Sequence, residues 1–142
     1  MPTPIEAVLN ELEHADAEFG AGRAGGYQDM YSHADDVTIF GAFGGHEQGW
    51  DTVGARLAWA ATQFNPTTDT TLERTLISAN FGTELGYTVT LEVTPGTTTV
   101  AGTTMGGLRV THVYRLEGDR WKIVHRHADP LTTNVPPAGT PT

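Results

Sequence analysis

The ten residues from Trp121 to Pro130 constrain the fold of this chain more than any other stretch. Valine and isoleucine within them favour a β-strand, in which alternate side chains share one face. One face would carry an apolar start followed by two imidazoles and a carboxylate: Trp121, Ile123, His125, His127 and Asp129. The opposite face would carry Lys122, Val124, Arg126 and Ala128. The stretch therefore predicts a strand that begins in a hydrophobic core and ends in a polar pocket, and it does not fix a reaction.

Charge and composition exclude several classes of partner. The chain has 142 residues, of which 8 are basic and 17 acidic, and a formal net charge of −9. Nucleic acids and anionic membranes are disfavoured, because binding to phosphates depends on lysine and arginine. The absence of cysteine excludes disulfides, thiolate metal sites and a cysteine nucleophile. The first residues resemble no signal peptide, and no apolar run approaches the roughly 18 residues of a membrane span, so we expect a cytoplasmic protein.

The periodicity of apolar residues predicts helices first and strands afterwards. Helical spacing indicates a first helix over residues 4–20, a short second helix over 24–33 and a third over 52–64, with Asp51 as its N-cap. A short strand, 37–40, and a glycine-rich loop, 41–49, separate the second helix from the third. Alternation then predicts strands over 70–80, 83–94, 103–116 and 120–130. This order is typical of an α+β fold, in which the N-terminal helices pack on a curved antiparallel β-sheet and leave a cone-shaped cavity.

The same pattern predicts the domain organisation. Residues 1–131 are expected to form a single domain, because their length suits one hydrophobic core and no internal repeat is visible. Residues 132–142 are rich in proline and threonine and lack an apolar pattern, so we expect a loose tail.

The chain resembles the nuclear transport factor two-like superfamily. That group includes ketosteroid isomerase, SnoaL-like polyketide cyclases, scytalone dehydratase and the hub domain of calmodulin-dependent kinase. The residues that carry the resemblance are Tyr31–Thr38, Gly49–Asp51, Tyr114–Arg115 and Trp121–Asp129. The order of elements matches over residues 4–130, which implies the cone-shaped fold, and within the superfamily the chain most resembles uncharacterised SnoaL-like proteins. The fold alone implies no single activity, because many functions use it.

Two departures argue against steroid isomerase activity. Alignment on the turn Ala34–Asp36 places Gly41 where ketosteroid isomerase has its general-base aspartate. The first helix also lacks the tyrosine that donates a hydrogen bond to the substrate oxygen in that enzyme, and Glu18 or Phe19 falls near its place. Without base and donor, that proton shuttle cannot operate.

A second comparison within the superfamily does not decide which face of the last strand points inward. SnoaL-like cyclases have a His-x-Asp pair in this strand, which His127 and Asp129 match. The hub domain has a pocket arginine at the position of Ala128, on the opposite face. One β-bulge would reconcile the two alignments.

Four residues are candidates for acid/base chemistry. His127 and Asp129 form the leading pair, because a carboxylate can hold one tautomer of an imidazole that titrates near neutral pH. His125 shares their face, and His112 would approach residue 124 or 125 across the last hairpin. The alternatives are a hydrogen-bonded strand end or a dimer face, and a core histidine in the case of His112. No metal is expected, since His125 and Asp129 would lie about 13 Å apart on a straight strand.

A further set of residues is predicted to bind substrate. Aromatic side chains could line an apolar cavity, and an arginine on a strand could bind an anion there. The alternative is that the aromatic residues are ordinary core and that the arginine points outward to a carboxylate. The set is Tyr27, Tyr31, Phe40, Trp50, Trp59, Tyr114 and Arg126.

These observations lead to two functional hypotheses. The first is a cofactor-independent isomerase, cyclase or dehydratase that acts on an apolar polyketide- or terpenoid-like substrate through a histidine–carboxylate pair. The second is a non-catalytic ligand-binding or dimerisation module with the same cavity. A homodimer is expected in either case, because one broad sheet face would lack a covering layer of helices.

Overall fold

The fold is α+β, as the order of helices and strands predicts. A computed structural model describes residues 3–63, 73–100 and 103–131 of the chain. Within these ranges lie three helices, α1 (Pro4–Gly20), α2 (Gly25–Asp29) and α3 (Trp50–Ala61). The six strands found there are β1 (Thr38–Phe40), β2 (Glu47–Gln48), β3 (Glu73–Phe81), β4 (Leu85–Val100), β5 (Thr103–Glu117) and β6 (Arg120–Pro130). The predicted tail, 132–142, lies outside the described residues.

The strands form one mixed, curved, open sheet in the order β2-β1-β6-β5-β4-β3. Strands β3 to β6 are antiparallel neighbours, as predicted, whereas β1 runs parallel to β6 and pairs Thr38 with His125 and Phe40 with His127. The turn between β5 and β6 lies at residues 118–119, where Gly118 has a φ of +67° that a residue with a side chain rarely adopts.

Local sequence signals explain the helix boundaries. Helix α1 begins with a capping box, in which Thr3 and Glu6 exchange hydrogen bonds between side chain and backbone. Helix α2 is shorter than predicted. Helix α3 begins at Trp50 and has Gly49 as its N-cap, so the prediction that Asp51 caps it is wrong. Gly49 has a φ of +85°, a conformation that glycine adopts readily, and the helix therefore begins two residues before its predicted start.

The three helices pack on one face of the sheet, which we call the inner face. The hydrophobic core between the two layers comprises Val8, Leu12, Ala15, Tyr27, Met30, Tyr31, Val37, Ile39, Val53, Leu57, Tyr114 and Ile123. The opposite face, which we call the outer face, has no helix against it among the described residues. No helix in the described ranges combines the length and hydropathy that a membrane span needs.

Candidate functional site

The last strand changes the face of its side chains part-way along. Tyr114 on β5 pairs with Ile123, but the preceding residue, Val113, pairs with His125. Val124 is therefore one extra residue on β6, a β-bulge. The bulge that could reconcile the two sequence alignments is present, and it lies before the histidines.

The bulge decides which residues of β6 face the helices. Arg126 and Ala128 lie on the inner face, and His125, His127 and Asp129 lie on the outer face. The prediction that the two histidines and the carboxylate share a face with the apolar start of the strand is wrong. The physical reason is the period of two in a strand, which one inserted residue inverts for everything that follows.

The predicted acid/base pair is formed, but on the outer face. Nε2 of His127 lies 3.2 Å from Oδ1 of Asp129, and each side chain is 46% exposed. Nδ1 of His125 lies 2.8 Å from Oγ1 of Thr38, and its ring meets Phe40 edge-on at 5.1 Å. Burial and the neighbouring His127 lower the pKa of His125. In this monomer the pair faces away from the helices, so its catalytic role stays a prediction.

Beneath α1 and α2, the inner face carries a different group of ionisable and polar side chains. They come from the first helix, the α2 region and four neighbouring strands, and most are almost fully buried. We call this group the inner cluster: Asp16, Tyr27, Tyr31, Arg74, Thr88, Thr90, Glu92, His112, Tyr114 and Arg126.

Ion pairs connect the inner cluster from the helix to the sheet. The Arg74 guanidinium contacts the Asp16 carboxylate and also donates to Oε2 of Glu92 at 2.9 Å. The Arg126 guanidinium donates to the other oxygen of Glu92, Oε1, at 3.4 Å. Two guanidiniums thus balance two carboxylates in a region that water barely reaches, which is the arrangement that buried charges require.

The two carboxylates of the inner cluster have opposite pKa shifts. Burial raises the pKa of Asp16 to about 6, against the lowering effect of Arg74, its hydrogen-bonded partner. Burial alone would also raise the pKa of Glu92, but Arg126 and Arg74 together lower it to about 2. Glu92 therefore stays ionised, whereas Asp16 can gain or lose a proton near neutral pH, as an acid/base group must.

His112 connects the ion pairs to a chain of hydroxyl groups. Burial and the adjacent Arg126 lower its pKa well below the usual value, so the ring is neutral. Nη1 of Arg126 lies 3.0 Å from Nε2 of His112, and since a guanidinium cannot accept a hydrogen bond, Nε2 must accept. The proton then resides on Nδ1, which faces the Tyr114 hydroxyl at 3.5 Å, and that hydroxyl lies 3.0 Å from Oγ1 of Thr88.

Two phenols complete the inner cluster. The rings of Tyr27 and Tyr31 are 5.3 Å apart, and Cζ of Arg126 lies 5.8 Å from the Tyr27 ring centre. Both side chains are fully buried, and burial raises the pKa of each phenol. Neither hydroxyl has a hydrogen-bond partner of normal geometry among the described residues, and the same holds for Oγ1 of Thr90 and Nε of Arg74. Buried polar groups are rarely unpaired, so these four atoms have hydrogen-bonding capacity that a ligand could satisfy.

The structure brings five of the predicted residues into the inner cluster: Tyr27, Tyr31, His112, Tyr114 and Arg126. The remaining aromatic residues lie elsewhere. Trp50 stacks on His33 with 3.7 Å between ring centres, and Trp59 packs against Phe43 on a partly exposed surface. Phe40 is on the outer face.

Sequence reasoning missed Asp16, Arg74 and Glu92. A charged residue on a helix is normally assigned to the solvent side, but Asp16 lies four residues after buried Leu12 and thus on the same face. Glu92 alternates with buried threonines on β4, so its face is polar and the apolar residues of that strand point outward. For Asp16 and Glu92, the sequence therefore contained a usable signal, which is a charged residue at the same periodic spacing as residues that are buried.

A sequence model of the SnoaL-like domain matches residues 5–132. The chain belongs to the SnoaL-like domain family. Membership supports a small-molecule-binding domain, and the resemblance noted from the sequence is confirmed. No curated protein matches the chain.

Solved structures share the fold of this SnoaL-like domain. A candidate calcium/calmodulin-dependent protein kinase type II association domain from Thiobacillus denitrificans has a TM-score of 0.69 and 23% identity, with 93% of this chain and 98% of that one covered. An NTF-2 like protein of unknown function from Shewanella oneidensis has a TM-score of 0.67 and 16% identity, with coverages of 89% and 99%. A domain of unknown function with a cystatin-like fold from Nostoc punctiforme has a TM-score of 0.65 and 16% identity, with coverages of 93% and 81%. At these identities the likeness establishes the fold alone.

Proposed function

We propose that this SnoaL-like domain binds a small oxygenated organic molecule at the inner cluster and moves a proton within it. Asp16 is the group that gives or takes the proton, and the Tyr27 and Tyr31 hydroxyls donate hydrogen bonds to the ligand oxygen. The observation that carries the proposal is the presence of unpartnered buried hydroxyls beside a buried carboxylate whose pKa lies near neutrality.

The other members of the inner cluster hold these groups in place. Arg74 ties Asp16 to the sheet, and Glu92 holds the two guanidiniums. His112, fixed in one tautomer, accepts from Arg126 and orients it. The reaction class expected from the sequence, a cofactor-independent isomerisation, cyclisation or dehydration, needs only such a proton-transfer group and hydrogen-bond donors. A polyketide- or terpenoid-like ring remains a suitable substrate if it carries an oxygen near these hydroxyls.

The proposal predicts that the protein catalyses hydrogen–deuterium exchange at carbon next to a carbonyl. The probes are 2-tetralone and cyclohexanone, two neutral ring ketones, each followed by NMR in D2O. Tyr27→Phe or Tyr31→Phe should slow exchange by about a hundredfold, since each removes one donor to the enolate oxygen. Asp16→Asn should abolish catalysed exchange.

The matched control is Tyr87→Phe, which removes the same hydroxyl from a tyrosine on the outer face. This variant should exchange the probes at the unchanged rate. Binding of a probe, seen by saturation transfer in the same samples, without catalysed exchange would support the non-catalytic ligand-binding module instead.

A second function, assembly into a homodimer, is favoured by the pattern of β4. Its apolar side chains point to the outer face, where Leu85 and Tyr87 are 59% and 39% exposed and Val89 and Leu91 are half-buried. A second copy of the chain that covers this face would remove apolar surface from water.

The dimer proposal predicts that Val89→Glu lowers the mass measured by light scattering from that of a dimer to that of a monomer. A carboxylate in the centre of an apolar interface would be buried without a partner. Ala17→Glu, which adds the same charge on the exposed side of α1, should leave the mass unchanged. A wild-type protein that is monomeric at all concentrations would contradict the proposal.

A further inference from the structure

The unpartnered atoms of the inner cluster define the chemistry of what binds there. The hydroxyls of Tyr27, Tyr31 and Thr90 can all donate, and Nε–H of Arg74 can only donate. A ligand with several acceptor oxygens can therefore take hydrogen bonds from these donors. A carboxylate does this with two oxygens and about four acceptor positions.

The charges of the inner cluster restrict how such an anion can enter. The guanidiniums of Arg74 and Arg126 already balance the carboxylates of Asp16 and Glu92, and His112 is neutral. A bound carboxylate would leave one excess negative charge in a region of low dielectric, which is strongly unfavourable. A proton taken up with the ligand removes the imbalance.

The contacts identify the proton acceptor. Glu92 receives hydrogen bonds from both guanidiniums, one on each oxygen, whereas Asp16 pairs with Arg74 alone within the described part of the chain. Protonation of Asp16 therefore disrupts fewer ion-pair contacts, and Arg74 keeps its hydrogen bond to Glu92 while its Nε–H can donate to the ligand. The ionisable groups that act on Asp16 from the elements packed against it are Arg74 on β3, Glu92 on β4, Arg126 on β6, and Tyr27 and Tyr31.

We propose that the inner cluster takes a small organic monocarboxylate and that its binding is coupled to the uptake of one proton by Asp16. The inference rests on the proposed ligand-binding function and deepens it. In the complex Asp16 carries the proton, and the ligand carboxylate accepts hydrogen bonds from Arg74 and the two phenols. The pKa of Asp16, about 6 before the ligand adds its charge, favours this direction.

Isothermal titration calorimetry tests the coupling directly. The probes are acetate, butyrate and benzoate, each paired with its neutral amide, in two buffers of different ionisation enthalpy near pH 7.5. We expect the carboxylate that fits to bind with close to one proton taken up per ligand. Its association constant should fall about tenfold for each pH unit above about pH 7, because each binding event consumes one proton and the proton concentration falls tenfold per pH unit.

Asp16→Asn is the control variant, since the amide imitates the protonated carboxyl in size and charge. It should bind the same carboxylate without proton uptake and with an association constant independent of pH in that range. Circular dichroism of this variant verifies that it is folded.

Each other outcome contradicts the coupling in a distinguishable way. Carboxylate binding by the wild type without proton uptake, or binding of the amides only, would overturn this inference and leave the ligand-binding function standing. Unchanged proton uptake by Asp16→Asn would overturn the assignment to Asp16. Binding of none of the six compounds would count against both proposals.

Discussion

Replacing Glu92 by glutamine is expected to lower the free energy of unfolding by about 3–5 kcal/mol. The carboxylate is 5% exposed and accepts from both Arg74 and Arg126. After the substitution Arg74 keeps its ion pair with Asp16, but Arg126 loses its only carboxylate partner among the described residues, because a glutamine amide is neutral. A buried guanidinium without a counter-charge is costly, whereas the shape of the side chain hardly changes.

Urea denaturation followed by circular dichroism measures this loss for the Glu92→Gln variant. The control is Asp129→Asn, which removes a carboxylate from the half-exposed pair with Arg109 on the outer face. That substitution should cost less than about 1 kcal/mol, because water screens exposed pairs. Similar effects of the two substitutions would show that Glu92 is not the common partner of two buried cations.

Deletion of Val124 is expected to lower the free energy of unfolding by about 4 kcal/mol or more, a large fraction of the total stability of an ordinary domain. Without the extra residue, the two halves of β6 cannot both keep their present faces. If the second half of β6 keeps its face, fully buried Ile123 turns to solvent. If the first half keeps its face, Arg126 loses its contact with Glu92 and the histidines turn toward the core. Each alternative removes a large buried contribution.

Val124→Ala is the matched control for the deletion, because it trims the same side chain and keeps the number of residues. It should cost no more than about 1.5 kcal/mol, since Val124 is only partly buried. Urea unfolding of both variants gives the comparison. A deletion variant as stable as Val124→Ala would mean that β6 can pair with β5 without the bulge.

Much of the fold could be predicted because its signals are local. The first helix follows from the spacing of Val8, Leu12 and Ala15, and the last hairpin follows from Gly118 between two alternating stretches. The two-residue strand β2 was not predicted, because a segment as short as Glu47–Gln48 has no periodicity of its own. It exists because β1 offers it a partner.

The candidate site was predicted only in part. The sequence drew attention to Tyr27, Tyr31, His112, Tyr114 and Arg126, which meet beneath the helices. The carboxylates that complete the group were not recognised, since a charged residue is normally assigned to the surface. Their burial depends on guanidiniums that come from strands distant in the chain, and no local pattern reveals that neutralisation.

The sequence by itself determined the α+β class, the approximate positions of the helices and main strands, and the antiparallel pairing of the last four strands, because apolar spacing and turn residues act over a few neighbours. Only the tertiary structure decided which faces of β4 and β6 point inward. On β6 the choice depends on one unpaired residue, Val124, whose position is set by pairing with β5. On β4 the polar face can be buried because Arg74 and Arg126 meet Glu92 there, which leaves the apolar side chains of that strand on the outer face.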